Sequence, residues 1–140
     1  MHKILVTDDE DKLRSLLARI IRAEGFAVEE AADAKSGLQM LSGKTFDVIL
    51  CDVKLPDANG VDLVKKLRET APASEVILLT AYGNIPDGVR AIQQGAFDYI
   101  TKGNDNDKII PLIHRAIEKT TLRQRVENLE KRVGERGFVA

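Results

Sequence analysis

Five short apolar segments, at residues 3–7, 27–31, 47–51, 75–79 and 97–101, alternate along this chain with helical patterns. Most are rich in Val, Ile and Leu, the composition of strands buried on both faces; 27–31 is the most polar and suits an edge. Between the first two, Leu13, Leu16, Leu17, Ile20 and Ile21 recur at i, i+3, i+4, i+7 and i+8, and Gly25 is placed to stop the helix. A second helix is predicted from a cap at Asp33 through Leu38 and Leu41, a third carries Val61, Val64 and Leu67, and a fourth holds Val89 and Ile92 and ends near Gly95. Strands alternating with helices of this length need parallel crossovers, so the predicted fold class is α/β, a doubly wound parallel sheet with helices on both faces.

The last helix overruns this scheme. Ile109, Ile110, Ile113 and Ile117 make a stripe for the core, and Leu122, Val126, Leu129 and Val133 continue at spacings of four and three, an a/d seam of about two heptads. Apolar positions continuing past a domain need a partner to cover them, which predicts a dimerising helix. Pro111 is expected in or near the first turn, where its missing N–H costs least. Residues 1–117 are therefore read as one domain and 118–140 as a linker helix whose last residues resemble a cut linker. With 140 residues and 44% hydrophobic content, one real core is affordable and two are not.

A formal charge of −1 provides no basic field for a polyphosphate backbone, so direct nucleic-acid binding is not expected. The single cysteine, Cys51, lies in an apolar run and reads as core; no internal disulfide is possible, which fits a cytoplasmic setting. The N-terminal apolar run is too short for a signal peptide, and nothing approaches membrane-spanning length.

Chemistry concentrates where the apolar segments end: Asp8 and Asp9 after the first, Asp52 after the third, Thr80 after the fourth and Lys102 after the fifth. An open parallel sheet presents its site outside the carboxyl ends of its strands. Singly, each residue reads as a turn former or cap; together they form one cleft. Converging carboxylates repel, and a hard divalent cation with oxygen ligands relieves them, Mg²⁺ above all where a phosphoryl group must be bridged. Asp52 would then be a nucleophile forming an aspartyl phosphate, the Lys102 ammonium would neutralise its charge, and the Thr80 hydroxyl would donate to a phosphoryl oxygen.

These residues, with Asp52-Val53-Lys54-Leu55-Pro56-Asp57-Ala58-Asn59-Gly60, Leu79-Thr80-Ala81-Tyr82 and Gly95-Ala96-Phe97-Asp98-Tyr99-Ile100-Thr101-Lys102, resemble the receiver domain of bacterial two-component response regulators over about residues 2–117. The resemblance implies five strands in the flavodoxin-like order 2-1-3-4-5 and Asp52 as phosphoacceptor. It implies Asp9 and Asp52 as direct Mg²⁺ ligands, Asp8 as a mostly water-mediated one, and the Lys54 backbone carbonyl as another. It pairs Thr80 with Tyr99 as the switch, and makes a phosphohistidine on a sensor histidine kinase the donor. On this reading the chain is a switch rather than an enzyme, although it would assist its own phosphorylation and dephosphorylation.

Phosphorylation would draw Thr80 inward through a charge-assisted hydrogen bond, let Tyr99 follow, and remodel the face of the fourth helix and fifth strand, a possible second dimer surface besides 118–133. The overrunning helix and Ala81-Tyr82-Gly83-Asn84 resemble the receivers of nitrogen-regulator-type transcriptional activators, in which an ATPase module and a DNA-binding domain follow. Neither module's motif occurs in the chain, so a larger activator is expected to supply the output. The alternative within binding modules is a stand-alone receiver acting only by protein contact. A phosphohydrolase is disfavoured because Lys54 stands where that chemistry places a general acid, and dinucleotide binding because Thr7-Asp8-Asp9-Glu10 replaces the needed glycines. One departure from the family is Gly103 after Lys102, where proline is usual; it bears on the rate and lifetime of phosphorylation.

Overall fold

A computed structural model describes residues 1–80, 85–102 and 106–135. Its order is β1 (Lys3–Thr7), α1 (Asp11–Ala23), β2 (Ala27–Ala31), α2 (Ala34–Gly43), β3 (Val48–Asp52), β4 (Lys54–Leu55), β5 (Ala58–Asn59), α3 (Gly60–Thr70), β6 (Glu75–Thr80), α4 (Ile85–Gln93), β7 (Asp98–Thr101) and α5 (Asn106–Glu135). Five strands form one parallel sheet in the order β2-β1-β3-β6-β7. With the two-stranded antiparallel ribbon β4–β5 set aside, that is the order 2-1-3-4-5. The polar segment 27–31 is an edge strand, as its composition implies.

Strand alternation divides the core into two layers. Ile4, Val6, Val48, Leu50, Ile77 and Leu79 face α1 and α5, where Leu17, Ile21, Ile109, Ile113 and Ile117 meet them. Leu5, Ile49, Cys51, Val76 and Leu78 face α2, α3 and α4, against Leu41, Val61, Val64, Leu67 and Ala91. Asp33 caps α2 by accepting from the Ser36 backbone N–H, and Gly25 and Gly95 take positive φ where α1 and α4 stop.

Several local features differ from the sequence expectations. Asp52 and Thr80 are the last residues of β3 and β6 rather than the first beyond them, because the backbone ladder extends that far. α4 turns Gly88 and Ala91 inward and leaves Val89 and Ile92 about half exposed, since only small residues let it approach β7 closely. An added Cβ at Gly88 would lie 2.6 Å from the Tyr99 ring. Pro111 is the sixth residue of α5, beyond the first turn, and cannot donate to the carbonyl four residues back. The ribbon β4–β5 has no periodic signal, being only two residues per strand. Ala81–Asn84, Gly103 and the end of the chain from 136, on which three expectations fall, lie outside the described residues, as does the Val133 side chain.

Candidate functional site

The carboxyl ends of β1, β3, β6 and β7 build the site, and hydrogen bonds that prolong the ladder past the strand ends set its positions. The Asp8 N–H donates to the Ala31 carbonyl at 3.0 Å, that of Val53 to Leu79 at 2.9 Å, and that of Lys102 to Thr80 at 2.9 Å. Arg14, one turn into α1, donates to the Asp8 carbonyl at 2.7 Å and holds the acidic loop down from the other side. From the β4–β5 turn, Asp57 accepts from the Ala34 and Lys35 N–H groups at 2.9 and 3.0 Å, which ties the turn after Asp52 to the start of α2.

Three of the expected residues, Asp8, Asp52 and Lys102, come together, with the ammonium between the carboxylates. Lys102 Nζ lies 2.8 Å from Asp52 Oδ2 and 3.2 Å from Asp8 Oδ2; it also lies 3.0 Å from Glu10 Oε1. Asp8 and Asp52 are buried. Carboxylate oxygens of Asp8, Glu10 and Asp52 lie within 4.8 Å of one another, so Glu10 joins a cluster in which sequence reasoning did not place it. Its signal was present as the third acid of the run Asp8-Asp9-Glu10-Asp11, but spacing alone does not tell which of four successive side chains turn inward. Asp9 is exposed and outside that cluster. The Lys54 side chain is exposed, and its backbone N–H donates to Asp52 Oδ1 at 3.2 Å.

Thr80 is buried and donates its hydroxyl to the Ile100 carbonyl at 3.3 Å, away from the acids. Tyr99 is half-buried on β7 with its ring against the backbone of α4 at Gly88. The two expected switch residues are therefore each engaged with a neighbouring element in this state.

Burial pushes the Asp52 carboxyl up to about 6; the Lys102 hydrogen bond works against this, and the Asp8 charge adds to it. For Lys102, burial opposes the charged form, yet hydrogen bonds to Asp52 and Glu10 outweigh it and hold the ammonium above its ordinary value. Cys51 is pushed up to about 12 by burial and then by the Asp52 and Asp8 charges, an inert core thiol as its sequence context implies. Asp8 Oδ2 is buried and makes no hydrogen bond: Lys102 Nζ, 3.2 Å away, bonds the other carboxylate oxygen, Oδ1, at 3.3 Å. An under-satisfied buried oxygen among three close carboxylates fits a hard cation, Mg²⁺ included.

Among the described residues, no helix is long and apolar enough to cross a membrane. Residues 4–114 match the profile of the response regulator receiver domain. The chain is 36% identical over 127 residues to the DNA-binding transcriptional regulator NtrC of Proteus hauseri, covering 91% of this chain and 27% of that one. The structure of NtrX from Brucella abortus in complex with ADP superimposes with a TM-score of 0.86 at 32% identity, over 92% of this chain and 30% of that one. The beryllofluoride-activated NtrC4 receiver domain dimer gives 0.80 at 31% identity, over 86% and 99%. The chain thus spans under a third of the full-length regulators it resembles. It belongs to the response regulator receiver domain family, among the receivers of NtrC-like transcription regulators.

Proposed function

We propose that the chain is a phosphorylation-activated switch of a two-component system, with Asp52 accepting a phosphoryl group from the phosphohistidine of a sensor histidine kinase. The observation that carries this reading is a buried carboxylate at the tip of the central strand, 2.8 Å from an ammonium that two further acids hold in place. An Asp52 oxygen attacks phosphorus, the P–N bond to the kinase imidazole breaks, and the imidazole keeps the electron pair and takes a proton. Lys102 moves from carboxylate to phosphoryl oxygen, and Thr80 exchanges the Ile100 carbonyl for a charge-assisted bond. Asp8, Glu10 and Asp52 would hold Mg²⁺; Asp9 and the Lys54 carbonyl, which the family resemblance adds as ligands, would have to turn toward it. Bound there, the ion would neutralise the acids and the incoming phosphoryl oxygens.

Movement of Thr80 frees space beside Tyr99, whose ring braces α4, and the α4–β7 face changes with it. Val89 and Ile92 on that face and the exposed Leu122, Val126 and Leu129 of α5 offer two apolar surfaces to a second copy. The dimer named for the NtrC4 receiver supports pairing of this kind. In a longer cytoplasmic protein, the 118–135 helix would pass the change to a transcriptional output.

Intact-protein mass after incubation with acetyl phosphate and Mg²⁺, followed by sizing, tests the reading. One phosphoryl adduct that chelation prevents and Asp52→Asn abolishes, with a change of elution, is expected. An unmodified wild type would refute it.

A further inference from the structure

Far from the acidic cleft, at the start of β6, Glu75 is a fully buried carboxylate that the switch chemistry does not use. Its Oε1 lies 2.6 Å from Arg123 Nη2, 3.4 Å from Arg68 Nη1 and 3.5 Å from Lys119 Nζ. Arg68 comes from α3, while Lys119 and Arg123 belong to the stretch of α5 beyond residue 117. Arg123 also donates through Nη1 to the Pro72 carbonyl at 2.9 Å, so its planar fork spans two parts of the body. Lys119 sits 5.6 Å over the Phe97 ring. On other faces of the same turns, Leu122, Val126 and Leu129 are more than half exposed.

We propose that Glu75 is the positioning residue of the linker helix: it clamps residues 119–123 to the lower edge of the sheet. The rigid unit of the receiver then runs through Arg123 rather than ending at 117, and the apolar seam leaves it in one orientation. A buried charge keeps its place only with partners, and the two partners on α5 make docking of that helix the condition for burying Glu75. β6 carries Glu75 at one end and Thr80 at the other, so the clamp and the switch threonine share one strand. The bearing on output rests on the switch reading above; the clamp itself does not.

Amide hydrogen exchange of the 140-residue chain decides it, with every variant carrying Leu129→Glu so that pairing of the seam does not protect the helix. Arg123→Gln and Glu75→Gln are expected to raise exchange over residues 118–125 by about tenfold or more, leaving 108–115 unchanged. Arg125→Gln, an exposed arginine on the same helix, controls for helix propensity. Should Glu75→Gln fail to fold, Arg123→Gln decides alone. Exchange over 118–125 no faster in Arg123→Gln than in Arg125→Gln, or already unprotected in the parent, would overturn the clamp. Absence of an Asp52 adduct in the same chain would sink the switch and leave this result standing.

Discussion

At the scale of residues, the site is a balance between burial and charge. Asp52 sits near 6 against an ordinary value of 3.8, so the folded chain binds this proton more tightly than the unfolded one. Its contribution to stability is therefore greatest at low pH and is lost as pH rises from about 4 through about 6, when the folded state must carry the charge. Urea unfolding in chelator should show Asp52→Asn gaining on the wild type between pH 4.5 and pH 7; an unchanged difference would contradict the assignment. The meeting of Asp8, Asp52 and Lys102 was legible because each closes an apolar run, a pattern that sequence preserves; Thr80 stands at the same edge with its hydroxyl on the Ile100 carbonyl. Glu10 and Arg14 were not, since their roles depend on how the turn into α1 aims successive polar side chains. Lys102 alone illustrates both: its meeting with Asp8 and Asp52 follows from the strand ends, while Glu10 as a third partner needed the fold.

At the scale of elements, α4 shows where periodicity misleads. Val89 and Ile92 have the spacing of a core stripe, yet the helix buries Gly88 and Ala91 because the Tyr99 ring lies against its backbone. Gly to Ala inside a helix normally gains about 1 kcal/mol. Gly88→Ala should instead destabilise the protein, by about 1–3 kcal/mol from overpacking, and should become stabilising once Tyr99→Ala removes the ring. Denaturant melts of the two singles and the double test this coupling; the same sign in both backgrounds would break the proposed link between Tyr99 and α4. The five strands of the main sheet were readable to within a residue, and the helices by their apolar positions; the ribbon β4–β5 was not, because its short strands are defined by a turn between site and α3 rather than by a core face.

At the scale of the whole molecule, two apolar layers, an acidic upper edge and a long last helix leave the candidate site and the exposed apolar seam well apart, which the proposed switch would use as input and output ends. The change in α5 from a buried stripe through Ile117 to exposed Leu122, Val126 and Leu129 is visible in the sequence spacing, whereas the Glu75 contact with Lys119 and Arg123 is not. If the seam mediates pairing, Val126→Glu with Leu129→Glu should shift the sizing profile of the phosphorylated chain to monomer while leaving its phosphoryl adduct intact. An unshifted dimer would assign pairing to the α4–β7 face. On the switch reading proposed above, one carboxylate, Asp52, carries the signal. Borohydride reduces an aspartyl phosphate to homoserine, so treating the acetyl phosphate product with borohydride and sequencing it by tandem mass spectrometry locates the acceptor. Homoserine at position 52 and nowhere else is expected; homoserine at another acid, or an adduct that yields none, would rule out Asp52 as the acceptor.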